Sequence, residues 1–261
     1  MQHIEVKINR PVATVLIGRR ERRGALDPVL IQDLKQALDD IHLEPKVRGV
    51  IVTGAGEYFC SGLDLSVMRR IHELPDEQAS GQWFTLWREW TELVEQMLRF
   101  PKPLVAAVDG IAAGAGMALA LAADILVCSE RARLIASAPR YGLIGGATTT
   151  LLNFRCGGSV AARYSLASQA IDAFEAQHLG LCEEPVTSDQ VWVRSQAWIE
   201  KIARGSPESI AATKRLLNET VGEELVTHLS AAAAASATLS GTESASEGVR
   251  AFAEKREPKF S

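Results

Sequence analysis

The sequence predicts an α/β fold, with strand–turn–helix units repeating to about residue 155 and a helical C-terminal third after them. Two apolar runs of strand length, Val50–Val52 and Leu104–Val108, each end in a small-residue turn that leads into helix-forming sequence. Between and after them, apolar residues recur at helical spacing, as at Leu30, Leu34, Leu38 and Ile41. From Val160 onward the pattern is helical.

In chain order, His3–Asn9 and Val12–Ile17 read as a strand pair joined at Arg10-Pro11. Asp27-Pro28 starts a helix, with Asp27 as N-cap and proline at the first helical position. Val47–Thr53 reads as a buried strand. In the long segment from Ser66 to Phe100, Trp83, Trp87, Trp90 and Val94 line one helix face. That face reads either as core or as one wall of an apolar pocket. Pro101 and Pro103 frame the second strand–turn–helix unit, and Asp124–Ser129 is a further strand. Gly145-Gly146 opens a helix running through Leu152. Ser206-Pro207-Glu208 opens another, and Ala231–Ala235 with Gly248–Lys255 completes the helical region. A compositional boundary near residue 200, without a linker, separates a core over 1–200 from a helical region over 201–261.

Composition excludes several classes. A net charge of −4 gives no electrostatic case for nucleic acid. The most apolar stretch, Leu104–Val127, is broken by Asp109, glycines and Asp124, so it reads as strand, turn, helix and strand, with no membrane partner. The alternating start Met1-Gln2-His3-Ile4-Glu5 lacks a signal-peptide core. The four cysteines form no CxxC pair and read as reduced thiols of a cytoplasmic protein. Histidine spacing gives no metal site.

The chemistry concentrates in two turns, Ser61-Gly62-Leu63-Asp64-Leu65 and Gly114-Ala115-Gly116. A glycine turn at a strand-to-helix junction frees backbone N–H groups that hold an oxyanion. Asp64 also reads as the N-cap of the next helix, and Cys60 as a small buried filler rather than a nucleophile.

Four segments in order carry a family resemblance. They are Arg22-Arg23-Gly24-Ala25-Leu26, Ser61–Leu65, Pro101–Gly110 followed by Gly114-Ala115-Gly116, and Glu247–Arg256 with Pro258-Lys259-Phe260. The chain resembles the crotonase (enoyl-CoA hydratase/isomerase) superfamily along nearly its whole length. The resemblance implies a spiral of ββα units with a helical C-terminal region that builds a homotrimer, often a dimer of trimers. It implies an acyl-CoA substrate, as in fatty acid metabolism, with coenzyme A as part of the thioester and no separate cofactor. By position, the N–H groups of Leu63 and Ala115 form the oxyanion hole. Arg22, Ala25, Ser61, Gly62, Asp64 and Leu65 lie along adenine and pantetheine. Lys255 and Phe252 reach a CoA phosphate or adenine.

Where the family's hydratases carry two water-activating glutamates, this chain has Ala118 and Ala138, and an alignment shifted by one offers Pro139. Other branches place an acid or tyrosine where Gly145 and Gly146 stand. Three readings remain. The first is a lyase or isomerase acting through a thioester enolate, with weak or absent hydration and a proton-transfer group recruited from elsewhere. Tyr141, Arg140, Asp64, Glu73, Asp76 and Glu89 are the candidates. The second is a decarboxylase or C–C hydrolase, whose substrate carboxylate Arg140 would bind. The third is a non-catalytic acyl-CoA-binding protein.

Overall fold

A computed structural model describes residues 1–220 and 223–260. The first helix, α1 (Pro28–His42), begins as its sequence requires: the Asp27 carboxylate accepts from the Leu30 N–H at 2.8 Å, and Pro28 holds the first position. Its stripe Leu30, Leu34, Leu38 and Ile41 is buried.

Two sheets form the spiral. The larger runs β1 (Ile4–Asn9), β2 (Val12–Ile17), β3 (Gly49–Gly54), β5 (Leu104–Val108) and β7 (Ile125–Cys128). β1 is antiparallel to β2 and the other pairings are parallel, with Val50 opposite Leu104 and Val105 opposite Ile125. The smaller runs β4 (Tyr58–Cys60), β6 (Ile111–Ala113), β8 (Arg133–Ile135) and β9 (Ala170–Asp172). Each turn of the spiral therefore lays one strand in the larger sheet and the next in the smaller one. Apart from the alternating, largely exposed edge strand β1, the large-sheet strands read as mostly apolar runs because both faces are covered. One face joins the main core; Val12, Ile51, Val105 and Val127 on the other meet Val191 and Ile199 of α8 (Val191–Ile202).

The small-sheet strands differ from the sequence reading, which assigned no strand to Tyr58–Cys60, Ile111–Ala113 or Arg133–Ile135 and only helix after Val160. Three-residue strands are too short for a period-two pattern, and β9 exists because Ile171 pairs opposite Leu134.

The segment after the first glycine turn forms α2 (Leu65–His72) and α3 (Asp76–Arg99), broken at Pro75. Trp83, Trp87, Trp90 and Val94 are all buried in the main core, which decides their reading in favour of packing. Trp87 Nε1 donates to Ser240 Oγ at 2.9 Å and ties α3 to α10 (Glu223–Ser240). α4 (Ala115–Leu121) is buried under α5 (Gly146–Cys156). α6 (Gly158–Ala167), α7 (Ala173–His178) and α9 (Pro207–Arg215) complete the path to α10. α11 (Glu243–Ala253) folds back onto α2 and onto the 3-10 turn Ala138–Tyr141. Leu225, Leu229, Ala245 and Val249 join the main core, so the C-terminal helices and the spiral share one interior. Among the described residues no helix is long and apolar enough to cross a membrane.

Candidate active site

The two glycine turns meet. Ser61 N–H donates to Arg23 O, Leu26 N–H to Gly62 O and Asp64 N–H to Leu26 O, at 2.8–3.0 Å, so the first turn is stitched to residues 23–26. The second is held at Gly114, whose N–H donates to Ile135 O at 2.8 Å. Its carbonyl accepts from Ala118 N–H at 3.1 Å and Thr148 Oγ1 at 2.8 Å. A Cβ on Gly62 would lie 2.7 Å from Ala113 O and 3.3 Å from Ala115 N; one on Gly116 would lie 2.1 Å from Cys60 O. Glycine at 62 and 116 is what lets the turns touch. Leu63 N–H and Ala115 N–H take no part in this stitching and donate to no protein acceptor among the described residues.

A buried arginine braces the first turn. Arg19 donates through Nη1 to Ala25 O at 2.6 Å, and pairs with Asp27 at 3.1 Å and Asp64 at 3.2 Å. Burial pushes the Asp64 carboxyl up, but Ser66, through hydroxyl and N–H, and the Arg19 guanidinium outweigh this and hold it below the usual carboxylate range. Both of its oxygens are engaged, as N-cap of α2 and as partner of Arg19. Cys60 ends β4 fully buried, and burial raises its thiol to about 12, which makes it an inert filler.

Around the turns there is little to move a proton. Ala118 lies in the core, and Ala138 faces Gly145, whose Cβ would come within 3.4 Å of it. In segments 60–65, 113–118 and 135–148 the one acidic residue is Asp64. Glu73 and Asp76 are exposed beyond α2, Glu89 is half-buried on α3 and Arg140 is exposed. Tyr141 is half-buried with its ring edge-on to Phe252, centroids 5.5 Å apart.

Of the remaining expected ligand residues, those from Arg22 to Leu65 lie on or beside the first turn, and Phe252 and Lys255 lie at the end of the C-terminal helix. Arg22 is exposed in the 3-10 turn Arg20–Arg22, Ala25 is buried beside it, and Ser61 and Leu65 flank the first turn half-buried. α11 brings Phe252, half exposed, against Tyr141, and Lys255 is exposed just past the helix end. Its tail is tied by Glu247, which meets Arg256, Arg250 and Lys259 N–H; these hold its carboxyl far below the usual range.

Three side chains escaped the sequence reading. Ser137 Oγ sits 3.4 Å from where a Gly114 Cβ would stand. Thr148 grips the Gly114 carbonyl. His72 packs edge-on to Trp83 at 4.9 Å with Nε2 buried and unpartnered among the described residues; burial lowers its pKa. None has a local sequence signal, because each partner lies on a different element.

A two-sheet ββα spiral with glycine turns meeting at the start of a buried helix defines the crotonase fold. The enoyl-CoA hydratase/isomerase family profile matches residues 7–261, and the chain belongs to that family. It is 36% identical to a "Putative enoyl-CoA hydratase" of Thermus thermophilus, over 95% of this chain and 97% of that one. It is 30% identical to the 2,3-dehydroadipyl-CoA hydratase of Escherichia coli, over 100% and 99%. A crystal structure of an enoyl-CoA hydratase from Mycobacterium avium subsp. paratuberculosis superposes with a TM-score of 0.86 at 26% identity, covering 99% of this chain and 98% of that one.

Proposed function

We propose that this chain is an acyl-CoA-processing enzyme, a lyase or isomerase, in which the Leu63 and Ala115 amides hold the thioester oxygen as it gains enolate charge. Two unpartnered amides on touching glycine turns carry the reading. Arg22, Ala25, Ser61, Gly62, Asp64 and Leu65 would follow the adenine and pantetheine, with Asp64 acting through Arg19 and the turn. Phe252 and Lys255 would meet the far end of the coenzyme, which enters only as part of the substrate. The helices of 201–261 would also build a trimer or a dimer of trimers, in the cytoplasm; Leu216 and Leu217, both 55% exposed, are apolar surface such an assembly would cover.

Ordinary hydration is expected to be weak. Each acid–base group contributes about 10²–10⁴ to rate, and a single oxyanion donor about 10²–10³. With alanine at 118 and 138, the amides alone cannot replace the missing proton transfers, even allowing for non-additivity.

The same observation favours decarboxylation as a second reading. Losing CO₂ from a malonyl-type thioester leaves its bonding electron pair on the α-carbon as the enolate, so the step itself requires no base. Arg140 is the cation that would bind the substrate carboxylate before it leaves as CO₂.

The test is the loss of conjugated-thioester absorbance from crotonyl-CoA, beside CO₂ release from methylmalonyl-CoA, with binding measured on the same sample. Binding with slow hydration supports the proposal, and CO₂ release selects its second form. Hydration at about 1–10³ s⁻¹ overturns the expectation of weak hydration, and absence of CoA-ester binding overturns the acyl-CoA reading.

A further inference from the structure

The Gly114 carbonyl and the Ala115 N–H are opposite ends of one peptide group. Whatever hydrogen-bonds the carbonyl therefore acts on the amide. Ala118 N–H and Thr148 Oγ1 both donate to that carbonyl, at 3.1 and 2.8 Å. A carbonyl that accepts a hydrogen bond polarises its peptide and strengthens the N–H at the other end, by roughly 10–30% per bond. It also fixes the peptide plane, and with it the direction of the N–H.

Thr148 is suited to this. It is 2% exposed, so little water competes for the carbonyl. Its bond spans 34 residues, from α5 to the second glycine turn. α5 is itself seated on α10, because a Cβ on Gly146 would lie 2.9 Å from Ala232 O and Ser236 Oγ. The other amide has the same support from a main-chain donor: the Gly62 carbonyl, in one peptide with Leu63 N–H, accepts from Leu26 N–H at 2.8 Å. One donor peptide is thus braced by backbone alone, and the other by backbone and by a hydroxyl that substitution can remove.

We infer that Thr148 is a positioning residue for the Ala115 amide, aiming and polarising it toward the thioester oxygen. This rests on the reading that Ala115 N–H meets that oxygen.

The test compares wild type, Thr148→Val, which keeps shape and loses the hydroxyl, and Thr148→Ser, which keeps the hydroxyl. Two readouts are taken on bound ligand: the carbonyl stretch of ¹³C-labelled hexanoyl-CoA and the enolate absorbance of acetoacetyl-CoA. Affinity for hexanoyl-CoA and the melting temperature are measured alongside. In wild type the stretch falls on binding and enolate accumulates. In Thr148→Val the band returns partway to its free position. The enolate-to-ketone ratio drops about two- to eightfold, as expected for a 10–30% loss in a contact worth about 10²–10³. Thr148→Ser restores both. Should valine prevent folding, Thr148→Ala, which leaves space, takes its place. Equal bands and enolate ratios in wild type and the hydroxyl-less variant overturn the inference and leave Thr148 a packing role. No band shift in wild type overturns instead the oxyanion reading on which it rests.

Discussion

Glycine-to-alanine substitution at two helical positions should change stability in opposite directions, and the difference tests where α11 lies. Gly81 sits in α3, where a Cβ would meet nothing within 4 Å. There only helix propensity acts, and alanine should stabilise by about 1 kcal/mol. Gly248 sits in α11, where a Cβ would lie 2.1 Å from Tyr141 O, 2.3 Å from Tyr141 C and 2.6 Å from Tyr141 Cα. These are backbone atoms, so no rotamer change relieves the clash, and the upper part of the overpacking range, about 3 kcal/mol, applies. Subtracting the helical gain leaves a net loss of about 2 kcal/mol. At about 2–4 °C per kcal/mol for a chain of this size, Gly81→Ala should raise the melting temperature by about 2–4 °C and Gly248→Ala lower it by about 4–8 °C. Differential scanning calorimetry reads both. A Gly248→Ala melting temperature at or above wild type would refute the packing of α11 on the Ala138–Tyr141 turn. With it would fall the route by which Phe252 and Lys255 reach the candidate site.

Removing Arg19 leaves the buried Asp64 and half-buried Asp27 carboxylates without their cation; Arg19→Met should destabilise by about 3 kcal/mol in denaturant titration, and an unchanged midpoint would contradict the bracing role. Because Asp64 titrates lower when folded than unfolded, its stabilisation holds above the unfolded pKa and is lost as pH falls through the folded one. The wild-type midpoint should therefore drop on acidification below about pH 4, and more shallowly in Arg19→Met. Cys60, with its thiol near 12, should resist iodoacetamide at pH 8 in the native protein and react after denaturation; peptide mass spectrometry reads this, and native modification would contradict its burial. Arg22→Ala combined with Lys255→Ala should weaken CoA-ester binding at least about tenfold in calorimetry if both meet phosphate, whereas unchanged affinity would point to a ligand without the coenzyme.

Much of the spiral was legible because its causes are local. Doubly covered strands such as Leu104–Val108 must be apolar throughout, and Asp27-Pro28 can do little but start a helix. The glycine turns were legible as turns, but the sequence does not say that a Cβ on Gly62 or Gly116 would strike the other turn. The small sheet was not legible from periodicity, since three residues carry no period. The tryptophan stripe, read first as core and second as a pocket wall, is settled by its burial in the main core, where Trp87 also donates to Ser240, 153 residues away. Asp64 fitted both cap and ligand contact, and its engagement with Arg19 and Ser66 is what tertiary structure adds. Thr148 lies in a run of three threonines, and only the arrival of Gly114 beneath it distinguishes it.

The most direct test of the central claim is the absorbance of acetoacetyl-CoA on binding. This ligand exchanges its acidic α-proton with solvent, so enolate can form on the protein without a catalytic base. If Leu63 and Ala115 hold the thioester oxygen, the enolate band should grow in proportion to bound ligand and disappear when excess CoA displaces it. Stoichiometric binding with no growth of the band would contradict an oxyanion hole at these turns and leave a protein that binds acyl-CoA without activating it.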